Sequence, residues 1–232
     1  MRRYAGPSDY DEARGVTVDA SGNVYVTGEA WARSLVPGKS GLPRAATISY
    51  SAAGARRWLF ADRRGRATAG AAVMYAGARG AKGVVLAGWR YSGRTANGTF
   101  FAKYAASDGS RIWSRSLTGE ADSTAWPVAA GLDGTGASIA AGTSNMSGGI
   151  QGYLAGVSAR GGGAWNSVCS SEFGDPDNPG WAKFDAIAVG SGGGLLAGGW
   201  TQAADVPPES FDHPSAFLVR CSPAWPVTAP LD

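Results

Sequence analysis

A short run of apolar and small residues that ends in glycine recurs four times along the chain. The four closing glycines lie 60, 54 and 56 residues apart. Runs this short, bounded by glycine and rich in aliphatic residues, are typical of strands, and no window of the chain shows a helical period. A repeat of about 50 residues made of short strands indicates a propeller or a similar array. The four runs are residues 24–28, 84–88, 138–142 and 194–198.

Each repeat is predicted to hold four strands arranged as two hairpins. In the first repeat, residues 15–19 and 24–27 flank a turn that contains Gly22-Asn23, which suits a tight hairpin. A second hairpin begins at residues 46–50, and its returning strand opens at Trp58. A tryptophan recurs at this register, so we interpret it as a packing residue between neighbouring sheets. The corresponding tryptophans are Trp113, Trp165 and Trp225.

The pattern predicts an all-β fold, a β-propeller of four-stranded blades, in a single domain over residues 1–232. Residues 1–6 resemble the end of an outer strand and could complete the last blade, which would remove an exposed sheet edge. Three assemblies stay open: a closed four-bladed ring, half of a larger ring formed by a homodimer through blade or strand exchange, and a fragment of a longer propeller. The approximate repeats are 7–63, 64–119, 120–174 and 175–232.

The repeat also resembles a known family. Residues 4–28, with the stretch Val16-Thr17-Val18-Asp19 and the later Val24-Tyr25-Val26-Thr27-Gly28, look like the bacterial β-propeller repeat of the SBBP type. Residues 101–113 are similar to the other half of that repeat, and the third and fourth repeats diverge from it. The resemblance implies a propeller of a kind often secreted or displayed on bacterial cell surfaces. It implies a scaffold and no reaction.

Composition narrows the classes of partner. The chain has 232 residues, 36 of them glycine, and a formal charge of +3, which is too small to indicate a nucleic-acid partner. Basic residues are concentrated between Arg56 and Arg115. This cluster is interpreted either as a solvated edge or as a strip that binds a polyanion. The two cysteines, Cys169 and Cys221, could be free or bonded. We find no signal peptide and no membrane span in the sequence, so a cytoplasmic location stays open beside the secreted one.

Two insertions, at residues 29–45 and 201–215, are the longest departures from the repeat. Both join a second strand to a third strand, so both are expected on one face of the propeller. Variable loops on a rigid scaffold are where binding usually occurs. Tryptophans near their bases could stack against a ligand. The predicted ligand-binding residues are Trp31, Trp89, Arg90, Tyr91, Trp200, Asp212 and His213.

An acidic loop supplies a candidate metal site. Asp175, Asp177 and Asn178 offer the oxygen ligands that Ca²⁺ prefers, although they lack the full spacing of a calcium loop. An aspartate after a strand end also commonly caps its own turn. No other cofactor is expected.

The sequence therefore favours a non-enzymatic binding or scaffold propeller with a protein or glycan ligand. A carbohydrate-binding, lectin-like version is the first alternative. The second is a hydrolase or lyase that uses acids at the ring face, such as Glu209 and Asp212. The chain has one histidine and no nucleophile-elbow motif, so a serine triad is not indicated and no catalytic residue is assigned.

Overall fold

The computed structural model describes eleven segments of the chain, and every regular element in them is a β-strand. The predicted all-β fold is confirmed in these segments, and none of them holds a helix that could span a membrane. The described residues are 11–31, 43–61, 68–76, 82–92, 96–117, 124–132, 136–146, 149–168, 181–189, 195–202 and 215–221.

The first sheet, blade 1, is an antiparallel meander with the strand order β1-β2-β3-β4. Its first turn is fixed by the Asp19 carboxylate, which accepts hydrogen bonds from the backbone N–H of Ser21 and of Asn23, each at 2.9 Å. Such a turn favours the hairpin that the Gly-Asn sequence predicted. Its strands are β1 (Asp11–Val18), β2 (Val24–Trp31), β3 (Pro43–Tyr50) and β4 (Arg56–Ala61).

Blades 2 and 3 repeat the meander and are joined by one parallel bridge between Asn97 and Thr124. In both blades the first strand lies next to the preceding blade. Blade 2 contains β5 (Thr68–Ala76), β6 (Gly83–Ser92), β7 (Ala96–Ala105) and β8 (Arg111–Leu117). Blade 3 contains β9 (Thr124–Leu132), β10 (Ser138–Met146), β11 (Gly149–Val157) and β12 (Trp165–Val168).

Blade 4 shows three strands in its described part, in the order β13-β14-β15. They are β13 (Trp181–Val189), β14 (Leu195–Gln202) and β15 (Ser215–Cys221). Consecutive blades pack together, whereas the described strands of blades 4 and 1 do not pack in that way, so these residues form an open series and not a closed ring. Residues 1–6, Cys169 and Trp225 lie outside the described residues, so the strand exchange and the disulfide stay predictions.

The tryptophan of the fourth strand links blade 1 to blade 2 and blade 2 to blade 3. The Trp58 Nε1–H donates to the Ala106 carbonyl of blade 2 at 3.1 Å, and the Trp113 Nε1–H donates to the Ala159 carbonyl of blade 3 at 3.2 Å. Both acceptors lie in the turn between the third and fourth strands of the following blade. The predicted packing role between blades is confirmed for these two tryptophans.

A glycine in the same turn makes room for the indole. Gly109 and Gly161 have φ of 74° and 80°, a region that disfavours side chains. A Cβ atom at either glycine would approach the tryptophan ring of the preceding blade to 2.7 Å. We call this arrangement of turn carbonyl and turn glycine the tryptophan socket. It explains why these repeats keep a glycine four residues before their own tryptophan.

Aromatic stacking completes the interface between blades 1 and 2. The Tyr25 ring is fully buried and stacks on Tyr75 of blade 2 with 5.9 Å between ring centroids. Its hydroxyl donates to Asp19 at 2.9 Å, so the first turn and the interface are one unit. Burial would raise the pKa of Asp19, but the hydrogen bonds from Asn23, Tyr25 and Ser21 outweigh it and hold that pKa below its usual value.

Candidate ligand-binding face

A β-bulge recurs in the middle of the first strand of every blade. One residue of the first strand has no partner on the second strand. The residue before it pairs with a glycine of the second strand, and the residue after it pairs with the residue that precedes this glycine. Bulges commonly redirect a side chain beside a functional site. The unpaired residues are Arg14, Ala71, Val128 and Asp185.

The bulge accounts for the glycine that faces it in blades 1 and 4. A Cβ atom at Gly28 would lie 1.8 Å from the Glu12 carbonyl oxygen, and one at Gly199 would lie 1.7 Å from the Lys183 carbonyl oxygen. No side chain fits such an approach, so glycine is required by backbone contact.

The register of blade 4 therefore differs by one residue from the alignment of the sequence runs. Phe184 pairs with Gly199 at the bulge, as Ala13 pairs with Gly28 in blade 1. Gly199, and not Gly198, is the equivalent glycine. Trp200 then occupies the same position as Trp89 in blade 2, directly after the bulge glycine, and Glu29 occupies it in blade 1.

The best-defined cluster on this face joins blades 1 and 2. The Arg14 guanidinium lies 2.9 Å from a carboxylate oxygen of Glu12 and 2.9 Å from one of Glu29. It also lies over the Trp89 ring, 5.0 Å from the centroid. The Glu29 side chain is only 9% exposed, so its charge depends on Arg14 for compensation among the described residues. Arg14 thus connects a carboxylate of one blade to an aromatic ring of the next.

Trp89 itself is 8% exposed, so most of its ring packs in the interface. Its indole N–H is buried and has no hydrogen-bond partner among the described residues. A buried donor without a partner costs about 1–3 kcal/mol. The guanidinium of Arg90, the next residue along β6, lies 5.9 Å from the Phe100 ring centroid.

The other predicted ligand-binding residues are resolved to different extents. Trp200 is partly exposed on β14. Trp31 ends β2 and Tyr91 lies in β6, both at the same face. The structure describes only the backbone of these two residues. Asp212 and His213 lie outside the described residues. Their role in binding stays a prediction.

Sequence reasoning missed Arg14, Glu12 and Glu29. The available signal was the position directly after the repeated glycine, which holds Glu29 in the first repeat and Trp89 in the second. The bulge that brings Arg14 to this position depends on pairing between strands, and a single strand sequence does not reveal it.

The arrangement offers an aromatic ring, guanidinium groups and carboxylates at one face, which are groups that recognise polar ligands. Blade 4 adds a pair between the Lys183 ammonium and the Asp185 carboxylate at 2.7 Å. Within the described segments no three His, Cys, Asp or Glu side chains converge as metal ligands. The predicted calcium site at Asp175, Asp177 and Asn178 lies outside those segments and stays a prediction.

Comparison with known families supports this description of the fold. Residues 1–34 match the family model of the SBBP beta-propeller repeat, which confirms the resemblance drawn from residues 4–28. The match covers β1 and β2 of the first repeat. A search of curated proteins finds no significant match.

Proposed function

Because the chain carries an SBBP-type β-propeller repeat, we propose that it is a non-enzymatic propeller scaffold that binds a protein or a glycan on the face of the bulges and long insertions. One observation carries this proposal. Trp89 and Trp200 share the position after the bulge glycine, and in blade 2 this position is flanked by the Arg14 and Glu29 charges.

Chemistry at this face favours a polar ligand with at least one flat apolar surface. A partly exposed indole such as Trp200 offers stacking area, and tryptophan and arginine are among the side chains most enriched at binding hot spots. The lectin-like version of the function uses the same groups, since a sugar presents both an apolar ring face and hydroxyls.

Binding to a glycan array and to a random-peptide display library tests the proposal and separates its two versions. Glycan hits would identify the lectin-like version, and peptide hits the protein-binding one. For any hit, the Trp200→Ala and Arg90→Ala variants are expected to weaken binding by about 2 kcal/mol, roughly 30-fold in Kd, by calorimetry.

Ile112→Ala is the matched control, because Ile112 is an exposed apolar residue on β8 of blade 2, away from the position after the bulge. It should leave affinity unchanged. The proposal would be contradicted if neither library yielded a ligand, or if all three variants bound a hit as tightly as the wild type.

A further inference from the structure

One side of blade 1 carries a row of apolar side chains, and no described blade packs on this side as blade 2 packs on the other. Cross-strand pairing places Val16, Val26, Ile48 and Leu59 in one row across all four strands. Val16 on β1 is 66% exposed and Leu59 on β4 is 40% exposed, so the two edge strands present large apolar side chains to solvent, whereas Val26 is half-buried and Ile48 is buried on the inner strands. We call this row, together with Val18, Val24 and Tyr50, the open flank.

Blade 2 shows what the same surface looks like when it is covered. Leu86 holds the position in β6 that Val26 holds in β2, two residues before the bulge glycine. It is fully buried in a cluster that includes Ala45 of blade 1. In blade 2, the side that faces the preceding blade is therefore packed against that blade.

The open flank also carries a tryptophan socket in which no described indole lies. Gly54 lies in the β3–β4 turn with φ of 79°, and its N–H donates to the Ser51 carbonyl at 2.8 Å, as Gly161 donates to Ser158 in blade 3. No described atom lies within 4 Å of a Cβ built at Gly54. A cavity of about 470 Å³ runs along this side of blade 1 and reaches Ala52 and Gly54.

Blade 4 presents the complementary surface. Leu196 lies three residues before its bulge glycine, the position of Tyr25 in blade 1, and Tyr25 is the residue that packs on the following blade. Leu196 is 42% exposed, so the described part of the chain places no blade against it. Trp225, which follows the repeat of Trp58 and Trp113 in sequence, lies outside the described residues.

We propose that the open flank of blade 1 docks blade 4 of a second copy of this chain. The two interfaces inside the chain provide the template, since each places a tryptophan of one blade in the socket of the next. The described strands of blades 4 and 1 show no such packing within one chain, which favours a second copy over closure by the chain's own blade 4. Two copies related by a twofold axis would then complete a ring of eight blades. This inference is independent of any ligand on the bulge face.

Analytical ultracentrifugation of the full chain tests the docking. The wild type is expected to sediment as a discrete dimer. Val16→Glu, which adds charge to the open flank, and Leu196→Glu, which adds charge to blade 4, should each sediment as monomers because a carboxylate would be buried without a partner. An equimolar mixture of the two variants should associate again, since one intact open flank then meets one intact blade 4.

Ile112→Glu is the control for added charge at an exposed apolar residue, and it should stay dimeric. Circular dichroism checks that each variant is folded, and Leu59→Glu replaces Val16→Glu if the latter fails to fold. A wild type that is monomeric up to about 100 μM would overturn the proposal, because that Kd is too weak for a stable dimer. A dimer that persists in folded Val16→Glu and Leu196→Glu would overturn it equally.

Discussion

The interfaces inside the chain and the open flank of blade 1 are built from the same repeat but differ in what covers them. In blades 2 and 3 the glycine of the turn between the third and fourth strands lies against an indole of the preceding blade. A backbone carbonyl of the same turn accepts the hydrogen bond from the indole N–H. In blade 1 the same turn has the same glycine conformation and no described indole. A repeat thus carries both sides of an interface, and in blade 1, the first of the series, the side with the Gly54 turn meets no described blade.

The largest expected effect on stability comes from removing the indoles that lie in the sockets of blades 2 and 3. Trp58→Ala and Trp113→Ala should each lower the free energy of unfolding by about 3–5 kcal/mol, because each removes a large packed ring. Each also leaves a turn carbonyl without its donor. Urea denaturation followed by circular dichroism measures the change. A cost below that of an ordinary surface substitution would show that the tryptophans do not hold the blades together.

Alanine substitution of the turn glycines tests most directly whether the sockets of blades 2 and 3 differ from that of blade 1. Gly109→Ala and Gly161→Ala should cost about 3 kcal/mol, since the added Cβ strains the backbone and meets the indole. Gly54→Ala should cost only the backbone strain, roughly 1–2 kcal/mol. The comparison is made by denaturation at concentrations where the chain is monomeric. Equal costs at all three positions would mean that an indole fills the Gly54 socket within a single chain.

Substitution of Asp19 tests whether the turn between β1 and β2 stabilises the interface between blades 1 and 2. Asp19→Ala should cost about 1–2 kcal/mol at pH 7, because Tyr25 and the turn lose their acceptor. The lowered pKa of Asp19 means that its stabilisation is present above the unfolded pKa and is lost as pH falls through the folded pKa. Denaturation between pH 7 and pH 3 should therefore show the gap between variant and wild type closing in acid. A gap independent of pH would exclude a role for the carboxylate charge.

The smallest effect is expected from a buried charge between blades 2 and 3. Lys103 is 4% exposed, pairs across the sheet with Trp113, and takes the position that Ser49 takes opposite Trp58. Burial lowers the pKa of Lys103, so its cost to the folded state is present at neutral pH and is lost as pH rises through the window between the folded and unfolded pKa values.

Lys103→Met should therefore raise the melting temperature by roughly 2–4 °C for a gain of about 1 kcal/mol. The variant should also gain less than the wild type when pH is raised toward 10. Calorimetry at pH 7 and pH 10 measures both effects. Ser49→Ala, the matched change in the other interface, should show no such dependence on pH, and a melting temperature lowered by Lys103→Met would contradict the interpretation.

Much of the fold followed from local patterns. Short strands and tight Gly-Asn and glycine turns identified the blades, and the recurring tryptophan identified the interfaces, because these features depend on neighbours close in the chain or repeat at a fixed period. The candidate site was harder to predict. Trp89 and Arg90 were predicted from the sequence as ligand-binding residues, and that role stays a prediction. Arg14 and Glu29 were not predicted, since an ion pair between strands leaves no periodic signal.

The sequence by itself determined the strand content and the repeat, because short strands and their turns depend on residues close together in the chain. It also predicted the packing of Trp58 and Trp113 between blades. It did not predict that Trp89 packs there too. Only the tertiary structure decided that the glycine of the fourth repeat is Gly199, that Arg14 pairs with Glu29 beside Trp89, and that one side of blade 1 has no cover in the described chain. These facts depend on bulges, on pairing between neighbouring strands and on blade-to-blade packing, which join residues that are distant in the sequence.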